Sequence, residues 1–321
     1  MPVNPIVLMY TRIKNFYIPI TISNNQNIST PAPFQQLITI NPSLIGSNLF
    51  SSDLGNIRFY ADYAFTQPLY AWVESGNSNT ATTTNIWVLL PNGIPAQSSI
   101  TIYMRLENIG TEYDGIYMGE APQLSQTYGQ YDNGARVFNF YDNFTGTTPS
   151  SNWTYGGTIT VNNGLFISGS SGPSSIQTTS SFGISVLDWY GYASATTGPA
   201  YWIDLGFYGS TYHESWFTYT GQNNYGYGYT ITSTSTPIIT YTSTPVNTYQ
   251  IFTVLNSGSS AYYMLNYNLQ SNSYPSQTTN VIAFRNGSSS SGEGANVYVQ
   301  WVRIRAYPPN NTMPSTIVGI L

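Results

Sequence analysis

Short runs in which apolar or β-branched residues alternate with polar ones recur along the whole chain, and they constrain its fold more than any other feature. Tyr17 to Ile22, Asn56 to Tyr60, Tyr70 to Val73, Asn85 to Leu90 and Ser99 to Leu106 are each of strand length. Pro91-Asn92-Gly93 and Asn108-Ile109-Gly110 separate them with residues that tolerate the positive φ of tight reversals. No amphipathic stretch reaches three helical turns. Strong helix formers are scarce while aromatic and β-branched residues abound, so propensity and period both predict an all-β protein.

Alternation lapses between Gly119 and Gly134 and then resumes. The second series runs from Val137 to Tyr141 through Thr158 to Val161, Gly164 to Ser168, Phe182 to Leu187, Tyr201 to Tyr208, Glu214 to Tyr219, Tyr227 to Ile231, Tyr249 to Leu255, Ala261 to Tyr267 and Val281 to Arg285, ending at Ala295 to Arg305. Ten or more strands in one unit predict a large sandwich or jelly roll. The expected organisation is two β-sandwich domains in tandem: a module over 1–118, a linker over 119–135, a jelly roll over 136–307 and an extended Pro-rich apolar tail over 308–321. Ser/Gly/Thr-rich Ser168 to Ser181 reads as a loop tip, as does Ser288 to Gly292.

Charge and side-chain chemistry exclude several functions. Only 7% of residues are charged, and the single Lys and seven Arg are scattered, so no basic stripe faces a nucleic acid. The absence of Cys removes disulfides and thiolate metal sites, and His213 is the lone imidazole. No run of eighteen apolar residues predicts a membrane-spanning helix. Met1 to Tyr10 lacks the basic start and long apolar region of a secretory leader, so none is expected. In strong acid the 13 carboxylates would be protonated, leaving about +9, and few ion pairs would be lost. That balance suits an acidic, archaeal setting.

The series Tyr17-Ile18-Pro19-Ile20-Thr21-Ile22, Asn56-Ile57-Arg58-Phe59-Tyr60, Leu69-Tyr70-Ala71-Trp72-Val73-Glu74, Ile86-Trp87-Val88 and Ile100-Thr101-Ile102-Tyr103-Met104 resembles the domain-of-unknown-function family DUF2341. Tyr117-Met118-Gly119-Glu120 stands at its closing corner, after an insertion around Glu107 to Gly115. Val137 to Phe144, Trp153-Thr154, Val161 to Leu165 and the last strand Val299-Gln300-Trp301-Val302-Arg303-Ile304-Arg305 resemble a concanavalin A-like, laminin-G-like jelly roll. The resemblance covers about Arg12 to Tyr307. It implies two β-sandwiches on a surface protein with carbohydrate binding, and no established enzymatic activity.

Glycoside hydrolysis on such a fold needs two carboxylates about 5–9.5 Å apart. No Glu-x-Asp-x-x-Glu strand occurs, and Trp202-Ile203-Asp204 with His213-Glu214 is the nearest approach to a catalytic pair, so no catalytic residue is assigned and the protein is expected not to be an enzyme. The candidate ligand site is the stretch Gly221 to Tyr229, in which Asn223, Asn224, Tyr225, Tyr227 and Tyr229, with Trp216 nearby, combine rigid rings with adaptable amides as sugar platforms do. Tyr190, Tyr192, Tyr201, Trp202, Tyr208 and Tyr212 belong either to that surface or to the core. No metal ligand and no cofactor are assigned, although calcium held by backbone carbonyls would leave no trace in a sequence. The apolar end Thr316 to Leu321 either lends a strand to a neighbouring subunit or folds back on its own sandwich.

The leading expectation is a non-enzymatic virion surface protein that attaches to host glycans or a host surface protein through the jelly roll, with other particle subunits as partners. A cell-surface adhesin or filament subunit, placed extracellularly, and a polysaccharide-active enzyme are the alternatives.

Overall fold

The computed structural model describes residues 16–169, 173–194, 203–219, 225–231, 236–242, 246–286 and 295–319. The chain is all-β. Its first module contains β1 (Phe16–Asn24), β2 (Phe34–Ile40), β3 (Ile57–Tyr60), β4 (Pro68–Leu69), β5 (Ala71–Ser75), β6 (Thr84–Leu90), β7 (Ser98–Leu106) and β8 (Met118–Glu120), with one short helix, α1 (Pro42–Gly46). Ile18, Ile20 and Ile22 of β1 are fully buried, so the period-2 pattern does set the inward face. With one further strand from the C-terminal tail, these strands make a five-stranded and a four-stranded sheet, the latter ordered β2-β6-β5-β8, packed around a shared core.

The jelly roll follows. It comprises β9 (Phe140–Asp142), β10 (Trp153–Gly156), β11 (Ile159–Val161), β12 (Leu165–Ile167), β13 (Ser174–Thr178), β14 (Ser185–Ala193), β15 (Ile203–Gly209), β16 (Tyr212–Tyr219), β17 (Tyr225–Ile231), β18 (Thr236–Thr242), β19 (Gln250–Asn256), β20 (Ser260–Leu265), β21 (Asn268–Pro275), β22 (Asn280–Asn286) and β23 (Val297–Arg305). Seven strands lie in the order β10-β13-β22-β15-β16-β17-β18. An eight-stranded sheet runs β11-β12-β23-β14-β19-β20-β21, with β9 also pairing β23. Leu187, Trp189, Val254, Val299, Val302 and Ile304 of the eight-stranded sheet meet Ile176, Leu205, Phe207 and Phe284 of the other in the core between them.

Several local expectations are corrected. Ser174–Thr178 is a strand, not a loop tip, because Ile176 fills the core and Thr178 donates its hydroxyl to Ser180 O while accepting from Ile282 N. Val137 closes a one-turn helix, α2 (Gly134–Val137), and the strand predicted there begins at Phe140. The stretch 119–135 joins the modules but is not a free tether: Ala121 N donates to Val73 O, and the Asn133 amide donates to Ala71 O and Ile116 O. Beyond Pro314 the chain forms β24 (Ser315–Val318), which runs antiparallel to β1 with Ile20 opposite Val318. The tail therefore leaves the jelly roll and caps the five-stranded sheet of the first module, ordered β24-β1-β7-β3-β4.

Candidate functional site

The outer face of the eight-stranded sheet organises the molecule. On β14, Leu187 and Trp189 point into the core, which sends Asp188, Tyr190 and Tyr192 to the other face. On β23 the register slips opposite Tyr190/Gly191, so the strand carries one extra residue there, Gln300. That bulge keeps Tyr298 and Trp301, three apart, on one outer face while Val299 and Val302 both enter the core.

The centre of this face is sealed by the first module. Arg303 is fully buried; its Nε donates to Asp188 Oδ2 at 2.9 Å and its Nη2 to Glu74 Oε2 of β5 at 2.7 Å. Arg305 Nε reaches the same Asp188 oxygen at 2.8 Å, while Thr253 donates to Asp188 Oδ1. Glu74 Oε2 also accepts from Trp87 Nε1 and from the Tyr267 hydroxyl. The guanidinium carbon of Arg303 lies 4.5 Å from the Phe138 ring centre, 4.6 Å from Trp87, 4.7 Å from Trp301 and 5.3 Å from Trp72. Two carboxylates and two guanidiniums thus neutralise each other inside an aromatic cage. Beside the cage Asp132 accepts from Trp72 Nε1, the Tyr141 hydroxyl and the Asn143 amide, tying the joining segment to both modules.

Away from the cage the face opens onto a row of rings. Trp301 stacks on Tyr190 at 5.7 Å, Tyr190 on Tyr249 at 4.9 Å, Tyr249 meets Tyr192 edge-on at 4.7 Å, Tyr192 stacks on Tyr298 at 4.6 Å, and Tyr298 meets Phe166 at 5.1 Å. Trp301 is fully buried, and the other five rings are half-buried. Gln300 Nε2 donates to the Tyr249 hydroxyl at 2.9 Å. Burial, and then the neighbouring Tyr249, raise the Tyr190 and Tyr192 hydroxyls above the usual phenol range, so both stay neutral donors. A rigid strip of ring faces edged by hydroxyls and an amide can stack the apolar faces of a polar, uncharged ligand.

The site residues expected from sequence lie elsewhere. Tyr225, Tyr227 and Tyr229 are not on a loop but on β17 in the seven-stranded sheet, and Trp216 is on β16 with Gly206 and Gly228 opposite it. Tyr227 is 2% exposed and packs against Tyr263 at 5.0 Å, so it belongs to the core rather than to a binding surface. Asn223, Asn224, Tyr201 and Trp202 lie outside the described residues, as do the side chains of Tyr212, His213, Glu214, Trp216, Tyr225 and Tyr229. Tyr190 and Tyr192 are resolved as surface. The row as a whole escaped sequence reading because its members come from β12, β14, β23 and the residue before β19; Tyr190 and Tyr192, which follow Trp189 at alternate positions, were its one local signal.

The outer face of the seven-stranded sheet holds a second group. Asp204 of β15 stands opposite Arg285 of β22, whose guanidinium lies 4.8 Å from the Tyr208 ring centre. Burial pushes the Asp204 carboxyl up to about 7, with Arg285 partly offsetting it. Tyr208 also lines a pocket of about 370 Å³ with Gln177, Ser181, Ser210, Thr279 and Asn280. Among the described residues no three His, Asp or Glu side chains gather as a metal site, and no helix is long and apolar enough to cross a membrane.

Fold and site together define a two-module β-sandwich protein whose jelly roll presents an aromatic row beside a sealed inter-module cage. Residues 53–156 match the family described as Domain of unknown function (DUF2341), a span from the turn before β3 through the joining segment to the end of β10. The chain is 49% identical over 141 residues to Uncharacterized protein 562 of Sulfolobus islandicus rod-shaped virus 1. That stretch is 44% of this chain and 24% of the viral protein, so the match spans about a quarter of the length of that curated relative.

Solved structures similar to this one include the Apo Crh5 transglycosylase, 14% identical with a TM-score of 0.41 over 54% of this chain and 85% of that one. A Bacillus licheniformis beta-glucanase is 12% identical with a TM-score of 0.39 over 52% of this chain and 97% of its own. An endo-beta-1,3-glucanase from Pyrococcus furiosus is 11% identical with a TM-score of 0.40, over 53% and 94%. These are enzymes by name, and the expectation of a protein without enzymatic activity is corrected on that finding. The likeness is one of fold.

Proposed function

We propose that the protein is a polysaccharide-directed component of a virus particle and that the row Phe166–Tyr298–Tyr192–Tyr249–Tyr190 is its glycan platform. The row itself carries this reading: five half-buried rings in continuous contact form a surface without a charged side chain among them. Rings already packed against one another lose little freedom on binding, so most of the contact energy is retained. The viral relative supports the setting, and attachment to a host through glycans is the role proposed there. In a glycan array at acidic and neutral pH, Tyr192→Ala/Tyr298→Ala is expected to weaken binding about 10- to 100-fold, at roughly 1.4 kcal/mol per factor of ten. Undiminished binding by a folded double variant would remove the platform.

A second reading, glycoside hydrolysis, is favoured by Asp204. A carboxyl with its proton held to about 7 is poised as a general acid at neutral pH, and Glu214 lies on the adjoining strand β16, four residues along from the Thr218 that pairs with Asp204. Release of reducing ends from soluble polysaccharides is expected to fall as pH rises through about 7. Asp204→Asn is expected to lower that rate about 10²-fold or more, the scale of lost general acid catalysis. A rate insensitive to Asp204→Asn would rule out this role.

A further inference from the structure

On the opposite side of the sealed cage lies a cleft that the aromatic row does not use. It has a volume of about 660 Å³ and opens where the loop after β1 meets the outer face of the eight-stranded sheet and the segment leaving β23. Tyr262 of β20 and Tyr307 supply two half-buried rings; Ser29, Asn139, Asn310 and Asn311 supply amides and a hydroxyl. Among the described residues no Asp, Glu, Lys, Arg or His lines it. Asn311 Oδ1 is buried and accepts no hydrogen bond among the described residues. Asn310 and Asn311 both stand at left-handed φ, +50° and +61°, a conformation that Asn tolerates and that holds this turn against the cleft.

We propose that this inter-module cleft is a second binding site, for a neutral oligosaccharide. The lining matches such a ligand group by group. Side-chain amides both donate and accept, as sugar hydroxyls do; the two rings offer faces to its C–H surfaces; and the absence of charged side chains leaves an anionic sugar without a counter-ion. Clefts between modules are common ligand sites, and here the cage holds both walls in place. The inference rests on the reading of the protein as carbohydrate-directed, but not on the aromatic row.

Isothermal titration of the full chain with a panel of neutral and sialylated hexasaccharides tests it. The wild type is expected to bind a neutral member at two sites. Tyr262→Ala/Asn311→Gly, in which Gly keeps the left-handed turn, should weaken one site at least tenfold while Tyr192→Ala/Tyr298→Ala weakens the other. Loss of binding in the row variant alone, with the folded cleft variant titrating like wild type, would overturn the cleft and leave the platform standing. Loss in the cleft variant alone would do the reverse. Hydrogen exchange gives a measurement that needs no variant: residues 306–311 should gain protection on titration with the neutral sugar. No protection there, or protection by decaproline instead of any hexasaccharide, would refute a saccharide site.

Discussion

Arg303→Met is expected to destabilise the protein by about 3–5 kcal/mol, the cost of removing one partner from a buried ion pair. Met preserves much of the contact with Trp72, Trp87, Trp301 and Phe138, so the loss isolates charge from packing. Asp188 would still hold Arg305, but Glu74 would keep only its neutral donors, Trp87 and Tyr267, with no cation against it. The buried carboxylate of Glu74 is then the expected source of the cost. Adding Glu74→Gln to Arg303→Met should restore a large part of the stability, because it removes the charge left behind. Urea denaturation measures both variants. Stability unchanged in Arg303→Met would mean that the cage does not hold the modules together.

The second large effect is an increase in stability on mild acidification. Burial raises the carboxyls of Asp132 and Glu120 in spite of their hydrogen bonds, and Asp204 is pushed up to about 7. Unfolded carboxyls titrate at about 4, so the folded chain keeps protons that the unfolded chain releases between about 4 and these raised values. Stability from these groups is complete below about 4 and falls as pH rises through the folded values. Asp188 has the opposite sign. Burial alone would raise it, but Arg305 and Arg303 together hold it below the usual range. Its contribution is present above about 4 and is lost as pH falls through its folded value. Calorimetry from pH 2 to pH 8 should therefore show Tm climbing from pH 8 toward about pH 4 and declining only below that. A Tm that is highest at neutral pH would contradict the assignment, whereas Asp204→Asn should flatten the neutral part of the curve.

How much was legible depended on where each residue's partners lie. Strands β1, β6, β7 and β23 announced themselves because their inward residues alternate within the run, whereas the run expected from Phe182 to Leu187 meets only the start of β14. Strand β2 did not, because Gln35 and Gln36 occupy buried positions that a core pattern reserves for apolar residues. Their partners come from far along the chain: Gln35 donates to Val137 O and accepts from Ala306 N, and Gln36 donates to Pro314 O. For β24 the sequence offered a strand at the apolar end but left its partner open, for the same reason. Its ladder partner is β1, almost three hundred residues away, while its neighbours in sequence are prolines that read as a strand stop.

The alternating Tyr and Gly of β17 show the limit from the other side. The pattern reveals a strand but not which of its faces is wet, and Tyr227 proves to be core. By itself, the sequence determined what depends on neighbours a few residues apart: all-β structure and two successive sandwich units. Only the tertiary structure decided which aromatic residues meet. Stacking of Tyr192 on Tyr298 and enclosure of Arg303 by four rings follow from cross-strand register and from the first module lying on one sheet face. Those contacts are set by chain segments a hundred residues or more apart, and no local period records them.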